Sequence, residues 1–279
     1  MTNNQLAIRD APPGKGRFRF GRNWKRFASS LNDKKIETAL ASLQEMLEVS
    51  DLKGKRFLDI GSGSGLFSLA ARRLGAEVFS FDFDQDSVDC TKSLREKHYQ
   101  DDPDWKIEQG SALDTQYLES LGKFDIVYSW GVLHHTGDMW NALANASKRV
   151  KESGKLFISI YNDQGITSKI WLKIKQFYCS SALGSALVLI TFLPLFFIAR
   201  IIIDLVQLKS PLSGLRRIGS ERGMSVLTDW IDWLGGYPFE VATPAQIFDF
   251  YRERGFSLTR LHTRGGKSGV NEFVFEKTR

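Results

Sequence analysis

Residues Arg56 to Gly75 read "RFLDIGSGSGLFSLAARRLG". A short β-type run, "RFLDI", leads without a break into alternating glycines, and these lead into the helical stretch "SGLFSLAARRLG". A strand that turns through glycines into a helix lets a ligand lie against bare backbone at a helix start. In an open parallel sheet, the crevice beyond the strand ends is where ligands bind. The spacing is Gly-x-Gly-x-Gly at 61, 63 and 65, and Leu66 stands where a dinucleotide fingerprint places its third glycine.

The surrounding pattern repeats the alternation. The β-type runs "EVFSFDF", "WKIEQ", "FDIVYSW" and "KLFISIY" are separated by "QDSVDCTKSLREKH" and "MWNALANASKRVKESG", which predicts a parallel sheet with helices on both faces. Ile36, Leu40, Leu43 and Leu47 recur at helical spacing ahead of the first strand. Thr243-Pro244 starts a late helix that Gly255 ends, and "FSLTRLHT" and "NEFVFEKT", joined by "RGGKSGV", read as a closing hairpin.

Two acids sharpen the reading. Asp82 ends the second strand, where a carboxylate accepts hydrogen bonds from both hydroxyls of a ribose. Asp59 lies two residues before Gly61, a negative charge that suits a cationic cofactor and that a nicotinamide enzyme does not need.

These residues resemble the class I S-adenosylmethionine-dependent methyltransferases over about residues 35–161 and again over 243–279. The resemblance implies a doubly wound α/β fold, a seven-stranded, mostly parallel sheet with an antiparallel C-terminal hairpin. It implies S-adenosyl-L-methionine as cofactor, with Gly61, Ser62, Gly63 and Gly65 along its methionine and ribose and Asp59 close by. Asp82 would hold the ribose hydroxyls, Phe83 the adenine face, Ser111 and Ala112 the adenine edge, and Trp130 would border the methyl group.

The end of the fourth strand, "SWGVLHHTGD", lacks the Asn/Asp-Pro-Pro-aromatic sequence of exocyclic-amine methylation of nucleobases. Neither Cys90 nor Cys179 is placed for a covalent adduct with a base carbon. "VLHH" resembles the branch that methylates small molecules, including quinone precursors and sugars, which implies an oxygen acceptor. His135 and His134 are then the candidate general bases, since imidazole titrates near neutrality. Tyr161 and Asp163 also face the crevice by topology, and no metal site is read.

The chain of 279 residues, with a formal net charge of +6, thus divides into a basic arm (1–34), a methyltransferase domain (35–163 and 237–279) and an apolar insertion (164–236). Six bases fall between Lys15 and Arg26, a surface for phosphate or anionic lipid, or a solvated arm. Two cysteines and a polar N-terminus predict a cytosolic enzyme.

Ala182 to Ala199, "ALGSALVLITFLPLFFIA", carries no charge, and extended through Ile203 it nearly reaches spanning length. A single crossing would part the fifth strand from the closing hairpin, so the stretch is expected to form a helical hairpin or a helix bent at Pro194 that dips into one leaflet, or to pack as a substrate cover or dimer face. Lysines 169, 173 and 175 and Lys209, Arg216 and Arg217 flank it, and Trp171, Trp230 and Trp233 suit interfacial depth. The expected partner is a small-molecule or lipid-linked acceptor met through peripheral or monotopic membrane contact over 177–208. An RNA-binding methyltransferase and a non-catalytic subunit that keeps the cofactor fold are the rival readings. Nucleic acid is the weaker match, because bases also cluster beside the apolar segment.

Overall fold

A computed structural model describes residues 16–21, 23, 24, 27, 31–207 and 226–278. Lys15, Arg22, Lys25, Arg26, Lys209, Arg216, Arg217 and Arg222 lie outside the described residues. Helix α1 (Asp33–Leu47) precedes β1 (Arg56–Ile60), α2 (Leu66–Arg73), β2 (Glu77–Asp82), α3 (Gln85–His98), β3 (Trp105–Gln109), α4 (Thr115–Ser120) and β4 (Phe124–Trp130). A 3₁₀ turn at Leu133–His135 leads to α5 (Met139–Lys148) and β5 (Val150–Tyr161). Then come α6 (Ile166–Ser180), α7 (Ala182–Val206), α8 (Val226–Gly235), α9 (Pro244–Arg252), β6 (Phe256–His262) and β7 (Val270–Lys277).

The seven strands form one sheet in the order β3-β2-β1-β4-β5-β7-β6. β1 pairs in parallel with β2 and β4, whereas β7 runs antiparallel to both β5 and β6. The strand order reverses between β1 and β4, so their C-terminal ends open the crevice of a doubly wound sheet. Side chains alternate as the pleat requires. Phe57 enters a core with Leu43, Leu69 and Trp105 under α1–α3, and Leu58 and Ile60 enter the opposite core with Leu143, Ile247 and Tyr251. Helix α9 begins with the expected cap: Thr243 Oγ1 accepts from the Gln246 amide while Gln246 Oε1 accepts from the Thr243 amide.

The insertion departs from expectation in one respect. Helix α7 runs unbroken through Pro194, and the chain reverses at Ser181, whose side chain caps α7 by accepting from the Gly184 amide at 3.0 Å. Gly184 permits that reversal, because a Cβ there would meet the Phe177 carbonyl oxygen at 2.3 Å. The result is a helical hairpin of α6 and α7, with α8 packed against both.

The turn after β1 depends on backbone freedom. Gly61 sits at φ +80°, and a Cβ there would lie 2.4 and 2.5 Å from the two Cγ atoms of Val132. Gly131, at φ +76°, has nothing within 4 Å of that position. Gly61→Ala is therefore expected to destabilise the fold by about 2–5 kcal/mol, the left-handed strain plus overpacking. Gly131→Ala should show the strain alone, about 1–2 kcal/mol. Urea midpoints at unchanged slope measure the difference.

Candidate functional site

The glycine turn, the end of β2 and the end of β4 enclose one side of a cavity of about 910 Å³. Gly61, Ser62, Gly63, Asp59, Asp82, Phe83, Ser111, Ala112 and Trp130 all line it. Gly65 does not: a Cβ there would meet Thr91 Cγ2 at 2.9 Å, so this glycine lets the turn pack against α3.

Asp82 ties the turn to the strand beside it. Its Oδ2 accepts from the Gly63 amide at 2.9 Å, and its Oδ1 accepts from the Asp84 amide at 2.9 Å. A carboxylate has about four acceptor positions, so each oxygen keeps a lone pair for a further donor. Burial pushes the Asp82 carboxyl up to about 6, partly offset by those backbone hydrogen bonds. The bare amide turn, an acid with free lone pairs and the aromatic Phe83 fit the chemistry of a nucleoside such as S-adenosylmethionine.

The far side of the cavity is built by the arm, whose contribution the sequence reading did not foresee, and by the insertion, which it expected as a cover. Arg17 donates to the His135 carbonyl at 2.8 Å, and its guanidinium lies 5.1 Å from the centroid of the Phe83 ring. Phe20 packs on His135 at 4.8 Å, and the Gly21 amide donates to Asp84 Oδ2 at 3.1 Å. Trp24 covers Gly63, where a Cβ would lie 2.9 Å from the indole. The described part of the arm thus folds over the crevice, with Arg17 engaged inside it. The signal was present as Phe18, Phe20, Trp24 and Phe27 interleaved among the bases.

The insertion supplies the remaining wall through Asp229, Trp230, Asp232 and Trp233 of α8. The tryptophans expected at interfacial depth form a half-buried aromatic seam. Trp171 lies 5.8 Å from Phe192 and 5.4 Å from Trp233, and Trp230 lies 5.6 Å from Phe196. Lys175 is fully buried beneath this seam, donating to the Trp233 carbonyl with its ammonium 4.5 Å from the Trp233 ring. Asn23 of the arm donates to Asp232, which joins the arm to the insertion.

The two histidines part company. His135 lines the cavity, and its Nδ1 lies 2.6 Å from the Pro238 carbonyl. A carbonyl only accepts, so Nδ1 carries the proton and Nε2 keeps the lone pair. Burial pushes its conjugate acid down to about 3, so the ring is neutral and does not titrate near neutrality. His134 is buried outside the cavity wall, packed 4.1 Å from the Tyr161 ring. Tyr161 lines the cavity, whereas Asp163 turns away to accept from the Gly165 amide at 2.8 Å.

Known proteins that share this fold are methyltransferases. A methyltransferase-domain family model matches residues 28–188, more than half of the 279. The ubiquinone biosynthesis O-methyltransferase of Xanthomonas oryzae is 31% identical over 112 residues, covering 40% of this chain and 45% of that protein. Its counterpart in Coxiella burnetii is 32% identical over 115 residues with the same shares, so the match spans less than half the length of these relatives. Magnesium protoporphyrin IX methyltransferase from Synechocystis, crystallised with bound SAH, superposes at a TM-score of 0.51 and 13% identity, over 98% of this chain and 93% of that one. An O-methyltransferase family protein from Burkholderia thailandensis gives 0.52 at 12% identity, over 88% and 58%, and both show the same fold. This chain belongs to the class I S-adenosylmethionine-dependent methyltransferase family.

Proposed function

We propose that this protein methylates an oxygen of a small or lipid-linked acceptor, using S-adenosylmethionine, at the cytosolic face of a membrane. The observation that carries the reading is one continuous cavity, with the glycine turn, Asp82 and Phe83 at one end and an aromatic wall built by an apolar insertion at the other. S-adenosylmethionine supplies an electrophilic methyl group. Asp82 accepts the ribose hydroxyls, the Gly61–Gly63 backbone and Ser62 line the tail, and Phe83, Ser111 and Ala112 border the adenine. Asp59 and Trp130 flank the reacting end. His135, neutral at physiological pH, orients the acceptor hydroxyl through Nε2 and is too weak a base to hold its proton. Much of the rate then comes from alignment.

The membrane part rests on α7. It is long and apolar enough to cross a bilayer, yet only Gly184, Val188 and Asp204 are buried along its 25 residues. Ile190 is 72% exposed and Leu183 69%, a large apolar surface for a water-facing helix. The one ion pair within it, Arg200 to Asp204 at 2.7 Å, is internal. A lone crossing by α7 is incompatible with β5 and β7 pairing in one sheet, so the hairpin lies in one leaflet. Between α6 and α7 a second, apolar groove of about 320 Å³ reaches Phe192, which touches Trp171 of the aromatic seam. Such a path suits an acceptor with a prenyl tail, a polyprenyl-linked sugar or a quinone precursor.

Asp82→Ala should weaken S-adenosylmethionine binding tenfold or more, about the loss of one hydrogen bond to a charged group, and unchanged calorimetry would contradict the assignment. His135→Ala should lower turnover about a hundredfold through misalignment of the acceptor, and turnover left intact would reduce the residue to scaffold. In flotation with anionic liposomes the whole chain should rise with the vesicles and a chain lacking 182–206 should not. Wild-type protein that stays at the bottom would leave a soluble acceptor, with α7 covered by protein. Labelled methyl transfer into a membrane extract, followed by identification of the labelled compound, names the acceptor.

A further inference from the structure

Methyl transfer to a hydroxyl leaves a proton that must depart from the acceptor oxygen, and His135 is too weak a base to hold it. Most acids on the cavity wall are engaged elsewhere. Asp82 and Asp84 accept from backbone amides, Asp59 accepts from Ser68 and Asp232 from Asn23. Asp229 stands on α8 in the far wall. Glu272 differs, because it lines the cavity from β7, beside the end of β4. Trp130 Nε1 donates to its Oε1 at 2.9 Å, and Trp130 is the residue that flanks the reacting end.

The strand around Glu272 is firmly held. Glu272 lies in register with Ser159 of β5 and His262 of β6, and Ser159 Oγ accepts from the Gly131 amide at 2.7 Å, fixing the turn that follows Trp130. The neighbouring Asn271 is buried; it donates to Asn162 Oδ1 at 3.1 Å and accepts from the Arg264 amide at 3.0 Å. A functional group on such a strand is held more tightly than one on a loop. The Glu272 side chain is 24% exposed, and its Oε2 lies 3.5 Å from Nδ1 of His262, a side chain 52% exposed on the edge strand. A carboxylate offers about four acceptor positions, so Oε1 keeps a lone pair beside the indole proton. Cavity, carboxylate, imidazole and water thus follow one another across the β7–β6 edge.

We propose that Glu272 is a catalytic residue that takes the acceptor's hydroxyl proton, with Trp130 and His262 as positioning residues on its two oxygens. This rests on the O-methylation reading above. In the step, a lone pair of the acceptor oxygen forms the bond to the methyl carbon while the carbon–sulfur bond breaks, its electrons going to sulfur. The O–H bond breaks with its pair kept by the acceptor oxygen, and the proton goes to the Glu272 carboxylate. A neutral His262 with its lone pair on Nδ1 receives that proton and yields the one on Nε2 to water. One positive charge enters on the cofactor and one leaves as a proton, so the balance closes without a co-reactant. The titratable and charged groups around Glu272 are His262 on β6, the buried Tyr128 hydroxyl on β4 and Arg264 on the β6–β7 connection.

The test uses the full chain with methyl-labelled S-adenosylmethionine and a membrane extract, both saturating, and follows initial incorporation of label across pH. Calorimetry of S-adenosylmethionine binding runs beside it. Glu272→Gln should lower the rate about a hundredfold or more, with cofactor affinity within about twofold of wild type. It should also lose the fall in rate that wild type shows on acidification, since only a carboxylate has to shed its proton before it can act. Glu272→Asp keeps the carboxylate and should keep that acid limb and about a tenth of the rate or more. Trp130→Phe and His262→Gln should lower the rate severalfold and keep the limb. A Glu272→Gln rate within about tenfold of wild type, or an acid limb that survives in it, overturns the base and leaves the transfer reading intact. Cofactor binding lost in both Glu272 variants makes the residue structural and overturns the base as well. Wild type that labels no compound at oxygen overturns the O-methylation reading itself.

Discussion

The Asp82 carboxylate, bridging the Gly63 and Asp84 amides, is the constraint on which the site depends. It fixes the end of β2 to the turn after β1, so two segments nineteen residues apart in sequence form one wall. The turn reaches that carboxylate only because Gly61, Gly63 and Gly65 all adopt positive φ, and because Gly61 lets Val132 of the β4 loop close behind it. Side chains at these positions would push the turn away from the acid. The crevice is thus a property of backbone conformation first and of side-chain chemistry second.

Around that fixed wall, two movable-looking sequence features become structural. The arm contributes Arg17, Phe20 and Trp24, which meet His135, Phe83 and Gly63. The insertion contributes α8, anchored by buried Lys175 on the Trp233 carbonyl. Asn23 donating to Asp232 joins the two covers. The cavity is thus bounded on one side by the sheet and on the other by the arm and the insertion, a division expected where one fold serves many substrates.

Much of this was legible in the sequence, and what was not has physical reasons. Strand periodicity, the Thr243-Pro244 cap and the Gly-x-Gly-x-Gly turn are local signals, and each element lies within a few residues of its expected place. The Arg200–Asp204 pair follows from helical spacing alone. Pro194 misled because a long apolar helix tolerates one proline, and the reversal came instead where Ser181 could cap and Gly184 could approach the preceding carbonyl. The arm was read by its charge, while its aromatics, which carry the packing, needed a tertiary partner to be recognised. Adjacent histidines looked equivalent in sequence, yet the 3₁₀ turn directs one to the cavity and the other into the core.

The most direct measurement is a crystal structure of the full chain with S-adenosylhomocysteine. The account predicts both ribose hydroxyls on the Asp82 carboxylate, the adenine beside Phe83 and the thioether between the glycine turn and Trp130. A nucleoside bound elsewhere, with the Asp82 oxygens facing only protein, would contradict it.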